Sequence, residues 1–276
     1  TLLANSYMVL RFDFSGINTA THTTTYDGFM TNVQTGVRTF LNTYKKVFSE
    51  VDKRTILRQK SPEAIIKTLF SIIKTLEIQH KIYLLIDEYD HFANELLSFD
   101  IDRFKNDVSR NGFVRKFFES LKTAVGEGII ERLFITGVSP VTLDSLTSGF
   151  NITDNISLNP LFHDLMGFTH EEVEIMLKES GINEEKIPDM MFDLTEFYDG
   201  YRFSSQSNRY LFNPDMVLYF LKEYSIANKY PEEMLDTNII SDYRKVRNIF
   251  KIGGNEDEKF GLLESLVNKG TIKFIL

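Results

Sequence analysis

Short apolar runs separated by long stretches of helical period organise the first half of the chain. Residues 8–14 (MVLRFDF), 82–86 (IYLLI) and 132–136 (RLFIT) read as buried strands, with a weaker candidate at 155–158 (NISL). Between the first two lies a segment, 27–48, in which Phe29, Val33, Val37, Phe40, Leu41, Tyr44, Val47 and Phe48 recur at the spacing of one helix face. A second helix is predicted to start at Ser61 as N-cap, with Pro62 in its first position and Ile65, Ile66, Leu69, Phe70, Ile73 and Leu76 facing inward. A third spans about 111–125, with Phe113, Phe117, Leu121 and Val125 on one stripe. Strands that alternate with helices pair in parallel through crossovers, so the fold class is α/β, a layered sheet with helices on its faces.

After about residue 165 the pattern is helical only. Thr169 and Glu172 form a capping box, Phe168 is placed to staple onto Val173, and Gly181 sits at a left-handed helix end. Asn213 and Pro214 open another helix whose inward residues are Val217, Leu218, Phe220 and Leu221. The expected domains are therefore an α/β core over 1–165 and a smaller helical domain over 166–276. No repeat is visible, and 19–25 (TATHTTT) reads as a polar loop.

Composition narrows the chemistry. Hydrophobic residues at 42% and charged residues at 25% are globular values, and no run approaches the roughly 18 apolar residues of a membrane span. The expected compartment is the cytoplasm, with no membrane contact. The absence of cysteine excludes disulfides, thiolate metal sites and cysteine nucleophiles. A net charge of −8 opposes broad phosphate neutralisation on nucleic acid more than it opposes one nucleotide, whose charge backbone amides and a metal ion largely carry. Because the chain begins at Thr1 and ends in the apolar TIKFIL, it reads as an internal fragment.

The run 82–86 delivers Asp87 and Glu88 to the carboxyl end of a strand apolar enough to be central, and ligands bind at that edge of open α/β sheets. In phosphate-loop hydrolases the first acid holds magnesium and the next polarises the attacking water. Thr136, at the tip of the following strand, occupies the place of a γ-phosphate sensor. The competing reading makes Asp87, Glu88 and Asp90 a solvated strand end and Thr136 an ordinary turn-capping hydroxyl.

LLIDEYD (84–90), FITGVSPVTLDSLTSGFN (134–151), GFTHEEV (167–173), FYDGYRFS (197–204) and YLFNPDMV (210–217), in that order, resemble the predicted AAA-ATPase-like family of bacteria and archaea. The resemblance implies a P-loop ATPase core related to the STAND and archaeal ATPases, followed by a helical region and often by a PD-(D/E)XK nuclease domain. It further implies ATP and Mg2+ as cofactors, Asp87 as the magnesium-site acid on a Walker B-type strand, Glu88 as the catalytic acid and Thr136 as the sensor. Tyr89 and Asp90 match the family's EYD pattern without an evident role. Nucleotide is the expected ligand, with nucleic acid reached through a downstream domain and a protein partner possible.

The chain departs from that pattern in one respect. None of its 15 glycines opens G-x-x-x-x-G-K-[ST], and GGNEDEKFG at 253–261 has glycines but neither the GK[ST] core nor a preceding strand. The phosphate loop and its strand are therefore expected upstream of Thr1, and the 276 residues by themselves are predicted not to hydrolyse ATP. The nuclease signature, D followed by [DE]-x-K, is also not evident. The alternative is a degenerate, non-catalytic ATPase fold that serves as an interaction or regulatory domain.

Arg202, in the turn YDGYRF, is the candidate nucleotide-facing arginine of the helical domain; the competing reading is an aromatic-packed turn. His22, His80, His91, His163 and His170 lack metal spacing and read as surface or loop residues. Residues 100–107 (DIDRFKND) fail the EF-hand pattern at Lys105 and Asn111 and read as a solvated acidic stretch. No G-x-S-x-G nucleophile elbow occurs.

Overall fold

The computed structural model describes residues 5–109, 111–137 and 152–235, in two compact units divided between Thr153 and Asp154. In the first unit β1 (Met8–Asp13), β2 (Ile82–Asp87) and β3 (Ile130–Ile135) form a parallel sheet in the order β1-β2-β3. Register runs from Met8 opposite Ile82 to Asp13 opposite Asp87, and Ile86 lies opposite Ile135. The α/β character predicted from the alternation is present.

Alternation along the strands decides which face is covered. Met8, Leu10, Phe12, Ile82, Leu84 and Ile86 are buried against α1 (His22–Thr43) and α6 (Phe113–Gly126), with α3 (Pro62–Thr75) packed beside them. Phe14 stacks on Phe29 at 4.6 Å, and Phe12 meets Phe117 edge-on at 5.4 Å. A Cβ on Gly36 would lie 2.5 Å from the Arg11 carbonyl oxygen, so this glycine lets α1 lie directly against β1. Successive right-handed crossovers in one direction place every connecting helix on the same side. On the other side Val9, Arg11 and Phe134 are exposed and Tyr83 and Leu85 half-buried, so among the described residues no helix covers a face that parallel sheets ordinarily bury.

Several expected boundaries move. Thr21 caps α1 through a reciprocal pair with Thr24, and the Thr25 hydroxyl is buried, so the threonine-rich 19–25 segment launches the helix instead of remaining a loop. That helix ends at Thr43, and a separate α2 (Glu50–Leu57) follows, started by a Ser49–Asp52 capping box; only its Ile56 is buried, which left the apolar pattern without a signal for it. Residues 155–158 form no strand, because the Asn155 side chain accepts from the Ser157 N–H and turns the chain. Leu76, at the end of α3, and Leu218 are exposed, not inward.

The stretch 100–107 is solvated only in part: Ile101, Asp102, Lys105 and Asn106 are exposed, but Phe104 and Asp107 are not. After α4 (His91–Phe99) and the single turn α5 (Ile101–Arg103), a π-helical turn (Phe104–Val108) buries Phe104, Asp107 and Val108. Asp107 is 2% exposed; its Oδ1 accepts from His22 Nδ1 at 2.6 Å and its Oδ2 lies 3.8 Å from the Arg103 guanidinium. Arg103 in turn donates to the Thr19 carbonyl and to the Thr25 hydroxyl. This cluster ties the loop after β1 to the segment that precedes α6.

The second unit is helical: α7 (His170–Glu179), α8 (Ile187–Tyr198) and α9 (Pro214–Ala227) enclose Val173, Leu177, Leu194, Tyr198, Phe212, Val217 and Phe220. The Thr169–Glu172 capping box, the left-handed Gly181 and the Asn213–Pro214 start all occur. Phe168 packs against the same cluster as Val173, and its backbone pairs with Phe212. His163 is buried, against the surface reading: Nε2–H donates to the Arg209 carbonyl and Nδ1 accepts from Ser204 N–H, fixing a short 3-10 segment to the 204–209 loop. Burial pushes the Tyr198 hydroxyl up to about 12, and it donates to the Met234 carbonyl. No described helix is long and apolar enough to cross a membrane.

Candidate functional site

The strand tips at the carboxyl edge of the first unit assemble the candidate site. Equal register brings Asp13 and Asp87 level, and Thr136, one residue past β3, donates its backbone N–H to the Ile86 carbonyl at 2.9 Å. From there the Thr136 hydroxyl donates to Asp87 Oδ1 at 2.6 Å. The other Asp87 oxygen faces Arg11, whose guanidinium lies 3.2 Å from Oδ2 and 3.9 Å from Asp13 Oδ2. Asp13 accepts from Ser15 N–H at 2.9 Å, and the backbone and hydroxyl of Ser15 hold its carboxyl below the usual carboxylate range.

Glu88 is where the strand stops. Its φ of +51° lies in the left-handed region that a non-glycine residue adopts at a cost of about 1 kcal/mol or more. Two bonds hold it there: Glu88 N–H donates to Asp87 Oδ1 at 3.1 Å, and Tyr89 N–H donates to the Thr136 carbonyl at 3.2 Å. Asp87 and Glu88 are thereby freed from the opposite-face rule of a continuing strand. The Glu88 side chain is 39% exposed, with His91 Nδ1 3.7 Å away. Glycine adopts this conformation without strain, so Glu88→Gly is expected to raise stability by about 1 kcal/mol in urea unfolding, whatever it does to activity. A loss of stability would show that the Glu88 side chain carries packing.

The residues after Glu88 turn inward. Tyr89 and Asp90 are buried, and Asn94 donates to Asp90 Oδ2 at 2.7 Å. A Cβ on Gly137 would lie 2.4 Å from both the Tyr89 ring and Asp90 Oδ1, so the EYD and TG segments interlock around a residue that has to be glycine. This gives Tyr89 and Asp90 a positioning role and removes Asp90 from the solvated-end reading.

Asp87, Glu88 and Thr136 are thus brought together. Arg202 belongs to the second unit, where it is exposed and lies 5.7 Å from the centre of the Tyr210 ring, in a turn opened by Gly200 at φ +122°. The sequence reading missed Arg11 and Asp13; the available signal was a charge at alternate positions of an otherwise apolar strand. Segment 253–261 and residues 138–151 of the TGVSP region lie outside the described residues.

Among the described residues no three His, Cys, Asp or Glu side chains converge on a metal position. A magnesium ion at a nucleotide site takes one or two carboxylates and completes its shell with phosphate oxygens and water. Asp87, a hard oxygen donor with 44% of its side chain exposed at the sheet edge, fits that role. A cleft of about 310 Å³ at the opposite, amino edge, lined by Tyr7, His80, Lys81 and Glu131, and one of about 350 Å³ in the second unit, beside His170 and Met191, do not touch these residues.

A family model described as a predicted AAA-ATPase matches residues 2–147, just over half of the chain, and spans all three strands and their tips. No curated protein and no solved structure matches.

Proposed function

The chain belongs to the predicted AAA-ATPase family, and from that premise we propose that its first unit is the hydrolytic half of an ATP site. The observation that carries this reading is the 2.6 Å hydrogen bond from Thr136 to Asp87, which joins two adjacent strand tips beside the strained Glu88. In the proposed site Asp87 would hold Mg2+, which would neutralise phosphate charge. Thr136 fixes the rotation of the Asp87 carboxylate. Glu88, beyond the strand end and open to solvent, orients a water molecule and accepts its proton.

The open sheet face supports a location for the other half. All connections lie on one side of β1-β2-β3, so a further strand outside β3, with its helix on the other face, would put a topological switch point between itself and β3, with the tip of β2 one strand away. A phosphate loop on such a strand would place its backbone amides beside Asp87 and Thr136. We assign that loop to sequence preceding the 276 residues, and read the whole protein as an ATPase whose nucleotide state controls an attached effector such as a nuclease.

The second reading is a non-catalytic interaction domain, favoured by the lack of a GK[ST] loop in the 276 residues. Magnesium-dependent ATP turnover, measured on a polypeptide that includes the upstream loop, separates the two. Turnover lost in Asp87→Asn supports the catalytic reading. Turnover that is absent from the wild type, or indifferent to Asp87, supports the other.

A further inference from the structure

Asp87 has a partner on each oxygen. Thr136 engages Oδ1 and Arg11 engages Oδ2, the latter from the open face of the sheet, one strand away. Arg11 sits opposite Leu85 in the register, so its guanidinium reaches up to the carboxylate one step beyond on the same face. Its side chain is 62% exposed, so it has room to change partners. An alternative acceptor is at hand. Asp13 Oδ2 is 3.9 Å from the same guanidinium nitrogen, and the Asp13 carboxylate is fixed by the Ser15 N–H.

We infer that Arg11 is a resident counter-ion of the metal acid: it holds Asp87 Oδ2 until a divalent cation arrives with its nucleotide, then transfers to Asp13. This deepens the proposed function and rests on its assignment of Asp87. The physical basis is that a guanidinium and a divalent cation drawn to the same carboxylate repel each other and compete for its charge, so cation binding weakens the Arg11–Asp87 pair. A cation with its own phosphate ligands has binding energy to spend on that exchange, whereas a bare aqueous cation has little. Arg11 thereby makes Asp87 selective for metal–nucleotide over free metal. The effect is modest, since the pair is solvent-exposed, but an exposed ion pair still shifts a competing equilibrium about five- to tenfold at low ionic strength.

The test is Mn2+ binding to the 276-residue chain, read by electron paramagnetic resonance of the free ion at low salt. Arg11→Met, which keeps the apolar stem, is expected to tighten Mn2+ binding about five- to tenfold, and Arg11→Lys to leave it within about twofold. The gain should vanish in Arg11→Met/Asp87→Asn and shrink as salt is raised. A thermal melt of each variant establishes that it is folded. Asp87-dependent binding that ignores Arg11, or a gain that survives Asp87→Asn, overturns the counter-ion role and leaves the proposed function standing. Mn2+ binding that is indifferent to Asp87 in both the wild type and Arg11→Met overturns the metal role of Asp87, and the counter-ion role with it.

Discussion

Glu88→Gln is expected to lower magnesium-dependent ATP turnover by at least ~10²-fold in a polypeptide that includes the phosphate loop, with nucleotide affinity nearly unchanged. The amide has the size of the carboxylate but cannot take a proton from water. The two bonds that hold residue 88 at φ +51° involve backbone N–H groups of residues 88 and 89, which the substitution leaves in place. The effect should therefore fall on kcat and not on KM. Steady-state phosphate release together with equilibrium nucleotide binding checks this. Unchanged turnover would remove Glu88 from the chemistry and leave its strain without a catalytic purpose. Glu88→Gly should be equally inactive yet more stable, a pairing expected of a residue strained for function.

The largest effect on stability is expected at Asp107. Asp107→Ala removes a carboxylate that is 2% exposed and that binds His22 at 2.6 Å while facing Arg103. The substitution takes from the largely buried Arg103 cation the carboxylate that it faces and from the His22 ring its acceptor. Breaking a buried pair from one side costs about 3 kcal/mol, and the loss here should be of that order in urea unfolding. Asp107→Asn, which keeps an oxygen toward His22, should cost less. A change below about 1 kcal/mol for Asp107→Ala would mean that the cluster is replaced by solvent without consequence. Because Arg103 also holds Thr19 and Thr25, the same substitution should increase amide exchange at the start of α1.

The contrast between Asp87 and Asp107 shows what sequence patterns reveal. Asp87 was legible because its signal is local: five residues of apolar strand and then an acid, in the order that places a parallel strand's carboxyl tip at a ligand-binding edge. The place of Thr136 at a strand tip was legible in the same way, but its bond to Asp87 was not. Asp107 was not, since its partner His22 is distant in the chain and DIDRFKND has the composition of a solvated stretch. The threonines at 19–25 misled in the same way, as polar residues that read as loop until Thr21 and Thr24 pair as a cap. Tyr89 and Asp90 matched a family pattern, but their inward turn depends on the backbone reversal at Glu88, which no local propensity announces. Arg11 was hidden inside a strand whose apolar neighbours set the reading, and its meaning comes only from the register that places it below Asp87. The helical unit was legible at its caps, where Thr169, Gly181 and Asn213 act through neighbouring backbone, and less so at His163, which is held by the 204–209 loop.

The central claim, that Asp87 and Glu88 form the hydrolytic half of an ATP site, is tested most directly by the nucleotide recovered from the protein. A polypeptide that includes the upstream loop is incubated with Mg2+ and ATP, separated rapidly from free nucleotide, and the bound species identified by chromatography. ADP is predicted from the wild type, intact ATP from Glu88→Gln, and little nucleotide of either kind from Asp87→Asn. Recovery of ADP in equal amounts from the wild type and Glu88→Gln would contradict the account.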